Sequence, residues 1–220
     1  MSYNRIDLYG KGYCNIFFPT GIFRLDEFKG NTLAIREIAN MHTLPRFVIE
    51  CMKYNVKPLC AVSFMLNTPK ECLVDAIEIV CYPEDMEGCD ELSFLCCRSR
   101  HGFIEYDDFC KFSKHLQIGI STVYDGVILL VIDNVFKTVF VPDFLIVDFS
   151  TYEQRCWQHS QNVIESNNVL ICIGGYFTEQ SDEELMKEYR GFGKDTHKYL
   201  IENPQKIADR ILGNYKFQCP

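Results

Sequence analysis

The 220-residue sequence predicts an α+β domain that is mainly β. The expected form is an antiparallel two-layer β-sandwich with flanking helices, one unit over residues 1–220. Three observations point there. Apolar runs rich in β-branched and aromatic residues fill the middle of the chain: Val127 to Asp133, Val135 to Val141 and Phe144 to Phe149. Breaks as short as Asp133-Asn134 and Pro142-Asp143 separate them, a spacing that favours antiparallel hairpins. A hydrophobic share of 47% against 24% charged residues supplies a globular core and excludes a disordered chain.

The first residues read as a meander of short strands. Ile6 and Leu8 alternate with Asp7 and Tyr9, Gly10-Lys11-Gly12 breaks the run, and Tyr13 to Phe18 resumes it. Pro19-Thr20-Gly21 turns the chain into Ile22 to Phe28. Asn31 or Thr32 can then cap a helix with apolar positions Leu33, Ile35, Ile38, Ala39 and Met41. Pro45 suits the first turn of a second helix, with Phe47, Val48, Cys51 and Met52 at helical spacing. Val56 to Leu66 reads as a buried strand. In Asp75 to Tyr82, Ile77, Ile79 and Cys81 alternate with Ala76, Glu78, Val80 and Tyr82, which predicts another. The acidic stretch Pro83 to Glu91 reads as a solvated loop without the regular carboxylate spacing of a calcium site. Leu92 to Cys97 reads as a strand, and Tyr106 to Ser113 as a short helix or turn.

Beyond the central runs, Thr151 to Ile164 can be helical, and Val169 to Ile173 is a buried strand ending at Gly174-Gly175. Ser181 caps a helix start at Asp182-Glu183-Glu184, where carboxylates meet the positive end of the helix dipole. Asn203-Pro204 opens a last helix with Ile207, Ala208, Ile211 and Leu212 on one stripe and Gly213 closing it.

Composition narrows the function. The net charge is −8 and no run of Lys or Arg occurs, so a nucleic-acid partner is not expected. The longest apolar stretch, Gly126 to Ile132, is far short of the about 20 residues that span a bilayer, so no membrane partner is expected either. The opening MSYNRIDLYG has no apolar export segment, and the 12 cysteines are expected to be made in a reducing cytosol.

Catalytic and metal patterns are weak. No Cys-x-x-Cys pair occurs, and Cys156 and His159 make only half a metal site. Cys14, Cys60, Cys81, Cys96 and Cys172 lie on apolar runs, where thiols pack as core. Gly10-Lys11-Gly12, Gly174-Gly175 and Gly191-Phe192-Gly193-Lys194 lack the strand, glycine and helix pattern of a phosphate loop. The carboxylates are numerous, but no spacing selects an acid–base pair. Neither a catalytic residue nor a metal ligand is assigned, and no enzyme activity is expected.

Four stretches carry a resemblance. Ala76-Ile77-Glu78-Ile79 with Pro83, Gly102 to Phe109, Ile118-Gly119-Ile120, and Asn168 to Gly175 resemble, in order, segments of the polyhedrins of cypoviruses. The family's N-terminal helical arm has no counterpart here, since a strand is expected within the first residues. The resemblance implies a structural occlusion protein: trimers packed into intracellular crystals that embed virus particles and dissolve in alkali. It implies localisation to the host cytoplasm, in viral occlusion bodies. The partners implied are further copies of the chain and the embedded virions. No cofactor is expected, although the resemblance allows a bound nucleotide.

The titratable side chains suit such a switch. Ionising the 12 thiols and 12 phenols in alkali would multiply the negative charge several-fold and drive packed copies apart. Tyr3, Tyr106, Tyr152 and Tyr189, in polar surroundings, are the candidate alkaline-switch residues. Cys89 in the acidic stretch and Cys219 near the C-terminus are the candidates for lattice contacts or disulfides. Two alternatives stay open: a cytosolic viral protein that binds a host partner, and a thiol-dependent enzyme.

Overall fold

The computed structural model describes residues 4–5, 29–30, 32–122, 125–147, 151–164, 168–171, 183, 186–187, 190–211, 213 and 215. Their strands form one mixed sheet. They are β1 (Asn4–Arg5), β2 (Thr32–Ile38), β3 (Lys57–Asn67), β4 (Ala76–Pro83), β5 (Phe103–Ile104), β6 (Leu116–Ser121), β7 (Phe144–Val147) and β8 (Asn168–Ile171). The order is β1-β2-β3-β4-β6-β7-β8, with β5 also paired to β3. Only β3/β4 and β4/β6 run antiparallel; the other pairings are parallel. The α+β expectation therefore holds at the level of mixed class. The antiparallel sandwich does not, because the described strands make a single sheet with helical crossovers.

The crossovers explain the difference, since parallel neighbours need a long connection that is usually a helix. Helix α1 (Leu44–Lys53) joins β2 to β3. Helices α4 (Val127–Leu130) and α5 (Ile132–Thr138) join β6 to β7, and α6 (Thr151–Ile164) joins β7 to β8. The runs from Val127 and Val135, expected as strands, are thus α4 and α5. Their buried residues Ile128, Ile132, Val135 and Val139 recur every three or four positions, and Asp125 Oδ1 accepts the Val127 N–H at 3.0 Å. A continuous apolar run hides that stripe from a periodicity argument.

Two other segments change class. Thr32 to Ile38 is strand, not helix. Leu33, Ala34, Ile35, Arg36 and Glu37 are all buried, as befits a central strand covered on both faces. Leu92 to Cys97 belongs to helix α2 (Met86–Arg98). Asp85 caps it by accepting the Gly88 N–H at 2.9 Å, and Cys89, Leu92 and Leu95 face inward. The acidic stretch is thus largely the first turns of a helix. A short α3 (Tyr106–Lys111) and a final α7 (Asn203–Arg210) lie where the sequence places them. The predicted meander before residue 29 falls almost wholly outside the described residues. The helix start at Ser181 lies there too, as do Gly10-Lys11-Gly12 and Gly174-Gly175.

Alternation along the strands divides the core in two. On one face Leu33, Ile35, Val62, Phe64, Ile79 and Ile120 pack beneath α1 to α6. On the other, Ala34, Leu59, Ala61, Val80, Phe144 and Ile146 meet Ile207 and Ala208 of α7. Helix α7 is held there by Asn203 Nδ2, which donates to the Val169 carbonyl at 2.9 Å, and by Lys57 Nζ, which donates to the Ala208 carbonyl at 2.7 Å. The Phe144 ring covers Gly119 so closely that a Cβ there would come within 2.1 Å of it.

Candidate functional site

One lane of the sheet changes hands beside β3. Strand β2 ends where Ile38 pairs with Ser63, and β5 begins where Phe103 pairs with Met65. The Ala39 N–H donates to the Ser63 carbonyl at 2.9 Å, and the Met65 N–H donates to the Gly102 carbonyl at 2.9 Å. Both flanks of this handover are conformationally unusual. Ala39 has φ 50° and His101 has φ 53°, left-handed values that carry a steric cost in residues bearing a Cβ. Such strain persists where surrounding structure enforces it, and it concentrates at ligand sites.

The handover leaves a cavity of about 270 Å³. It sits at the carboxyl ends of β2 and β6, the edge where open sheets with parallel strands hold ligands. Its walls are mostly apolar, with Ile38, Phe64, Met65, Ile77 and Ile128 prominent. Its polar lining is Ser63, Glu78, His101, Ser121 and Asp125. Few polar groups in an apolar wall is the usual composition of a small-molecule pocket, and the volume lies just below the usual range.

Of these, Ser63, Glu78 and Ser121 come from strands and point to α7's side of the sheet, while His101 and Asp125 come from connections. Ser63, Glu78 and Ser121 sit at alternate positions of three neighbouring strands, so they share one face with Arg36. Arg36 is fully buried, with Nη1 3.7 Å from Glu78 Oε1. Burying both charges is offset only by their mutual attraction and further hydrogen bonds, so the pair fixes the Glu78 carboxylate in position. Ser121 is 3% exposed, and its Oγ has no hydrogen-bond partner among the described residues. The Ser63 hydroxyl donates weakly to the Glu37 carbonyl at 3.4 Å.

On the opposite face, at the same edge, Glu37 accepts a hydrogen bond from the Thr43 hydroxyl and is buried. Desolvation pushes its carboxyl up to about 7. No three or more potential metal ligands gather among the described residues, and none of their helices is long and apolar enough to cross a membrane.

None of the residues expected to carry function is among the described lining of this cavity. Tyr3, Tyr189 and Cys219 lie outside the described residues, and Tyr152 falls in the first turn of α6. Tyr106 is half-buried rather than in polar surroundings. Its hydroxyl donates to the Val139 carbonyl at 2.9 Å, and burial raises its ionisation above the usual phenol range. Cys89 is 7% exposed on the inner side of α2, not in an accessible loop, and burial pushes its thiol up to about 11. Burial also pushes Cys51 and Cys96 up to about 12 and raises Cys60 and Cys81. None of the nine described cysteines is bridged. Cys156 is buried while His159 is exposed, so they do not form a shared surface for a metal. Gly193 has φ 70° within the 3-10 segment Arg190–Asp195.

The cavity residues were nevertheless signalled. Ser63 and Glu78 are polar interruptions in the apolar strands CAVSFML and AIEIVCY, both read as strands from sequence. A polar side chain inside a buried strand needs a partner or a ligand. No family model matches the chain, and no curated protein matches it either.

Proposed function

We propose that the protein binds a small molecule in the cavity between β2 and β5, at the carboxyl edge of the sheet. The observation that carries this reading is Ser121. Its buried hydroxyl lines an apolar-walled cavity and has no partner among the described residues. Leaving such a group unsatisfied is unfavourable by about 1–3 kcal/mol, an amount a bound ligand would recover. The left-handed Ala39 and His101 on either flank support the same reading. The test is a fragment library screened by methyl NMR, with the isoleucine and methionine methyls labelled. Binders should shift Ile38, Met65, Ile77 and Ile128 together. A library that leaves all four unmoved sinks the reading.

The occlusion-matrix reading is a second proposal. It is supported by the resemblance and by large apolar side chains on the surface, among them Met52 at 71%, Leu73 at 70% and Val141 at 64% exposure. Such residues can meet in contacts between copies. The upshifted thiols of Cys51, Cys89 and Cys96 would ionise only in strong alkali and so would contribute little to such a switch at milder pH. Cells making the protein should contain faceted particles that persist in neutral buffer and vanish in carbonate at high pH. A preparation that stays dispersed at tens of milligrams per millilitre would end it.

A further inference from the structure

We infer that the ligand of this cavity is a small organic cation: an ammonium, amidinium or guanidinium group on an apolar body. The inference rests on the binding reading above and adds the ligand's charge. The polar lining is rich in acceptors. Glu78 and Asp125 present carboxylates, and no lysine is among the described residues that line the cavity. Among the described lining residues His101 is the one side chain that can carry a positive charge, and the guanidinium of Arg36 lies buried against Glu78 rather than in the lining. With His101 counted as neutral, one positive charge faces two carboxylates, and Asp125 is the excess.

The two carboxylates differ in role. Glu78 lies inside β4, held by Arg36, and lines the cavity with Ser121, its register partner one residue beyond Ile79↔Ile120. Asp125 stands exposed in the loop before α4, where it turns one oxygen to the Val127 N–H. Between them lie the apolar walls, which would hold an alkyl or aryl body out of water. A metal ion would need several close hard ligands. The apolar walls instead suit the body of a carbon-bearing cation.

Three probes of matched shape separate the possibilities: benzamidine, benzyl alcohol and benzoate. Each is titrated into the intact chain while the Ile38, Met65, Ile77 and Ile128 methyls are followed. Benzamidine should shift these methyls at the lowest concentration, and benzoate should bind weakest. Asp125→Asn keeps an oxygen for the Val127 N–H while removing the charge. It should weaken benzamidine about tenfold, the loss expected for one charge-assisted hydrogen bond. It should leave benzyl alcohol within about twofold.

Benzoate or benzyl alcohol binding as tightly as benzamidine overturns the inference but leaves the binding reading standing. Unchanged benzamidine affinity in Asp125→Asn overturns it as well. If all three probes fail while fragments of other chemistry shift the same methyls, the charge assignment is wrong and the cavity remains a site. If nothing in the library moves those methyls, both fall.

Discussion

The two faces of the sheet are built from the same strands, one residue out of step, yet they are made of different chemistry. Beneath α1 to α6, the sheet positions are Leu33, Ile35, Val62, Phe64, Ile79 and Ile120, with helix residues such as Phe47, Leu92 and Leu95 locking over them. On α7's side, apolar residues give way toward the carboxyl edge to Arg36, Ser63, Glu78 and Ser121. The apolar face is where the protein gains its stability, since each buried Leu or Phe contributes about 1.5–3 kcal/mol on removal from water. The polar row gains little by folding alone. Its buried groups require partners, and the cavity lies where those partners thin out.

The largest expected effect therefore belongs to the apolar face. Phe47→Ala should destabilise the protein by about 3–5 kcal/mol, as transfer and cavity contributions add in a site that cannot collapse. Ser121→Ala should not destabilise the protein and should stabilise it by up to about 1–3 kcal/mol, because it removes the unpartnered buried hydroxyl. Urea denaturation of both variants measures the contrast. Equal losses would mean that the two faces do not divide the work as described.

Arg36 sharpens the contrast from the polar side. Arg36→Met should cost about 3–5 kcal/mol by stranding the Glu78 carboxylate. Joining it to Glu78→Met should recover most of that loss, because a buried ion pair can be replaced by apolar residues of similar size at little net cost. A double variant as unstable as the single one would show that the pair itself stabilises the fold. The double variant removes the pair but keeps Asp125, so it should hold benzamidine far better than Asp125→Asn does, and stability and binding separate in one experiment.

How much of this was visible before the structure depends on what decides each element. Val56 to Leu66, Asp75 to Tyr82 and the helix from Pro45 were legible, because local pattern and tertiary role agree there. The runs at Val127 and Val135 were not. Seven continuous apolar residues fit a strand and a buried helix equally, and only the crossover between parallel β6 and β7 selects helix. The strand at Thr32 was hidden by Arg36 and Glu37, polar residues that look surface-facing until Glu78 and Thr43 are seen to meet them. Cys89 was misplaced for a related reason. An acidic stretch suggests solvent, but Asp85 and Glu87 are the capping turn of α2, and the next residues face the core. The cavity needs two segments far apart in sequence, Ile38 and His101, to abut the same strand, a relation that no local spacing encodes.

Glu37 extends the comparison to pH. Its carboxyl is raised by burial to about 7 from 4.5, so the folded state prefers the protonated acid. The stability this contributes is fully present below pH 4.5 and is lost as pH rises through about 7. A shift of that size corresponds to about 3 kcal/mol across the window. Glu37→Gln, which keeps an acceptor for Thr43, should flatten the fall in stability between pH 4.5 and 7. Cys51 and Cys60, the thiols buried on this side, stay protonated there because burial raises both. A pH profile identical to that of the parent protein would show that Glu37 titrates as an ordinary carboxylate.

The smallest effect belongs to the surface counterpart of Glu37, at the start of α2. His115 Nδ1 lies 2.9 Å from Asp85 Oδ2 and Nε2 lies 3.0 Å from Glu87 Oε2, while its backbone N–H donates to Glu91 Oε2 at 2.8 Å. The hydrogen bond to Asp85 raises the imidazole above its ordinary value, and the charges of Asp85, Glu87 and Glu91 add to the shift. Asp85 is lowered in turn, first by the Gly88 N–H and then by His115. The signs differ for the two partners. The imidazolium contributes stability below the ordinary histidine range and loses it as pH rises through its raised value. Asp85 contributes above its unfolded value and loses it in acid. The clamp therefore works at mildly acidic pH, the range over which Glu37 is losing its own contribution. Salt distinguishes the two, because exposed charges are screened and buried ones far less. Raising ionic strength should erase the melting-temperature difference between the parent and His115→Gln at pH 5.5 while leaving the Glu37→Gln profile intact. Salt acting equally on both would mean that burial does not separate these two carboxylate environments.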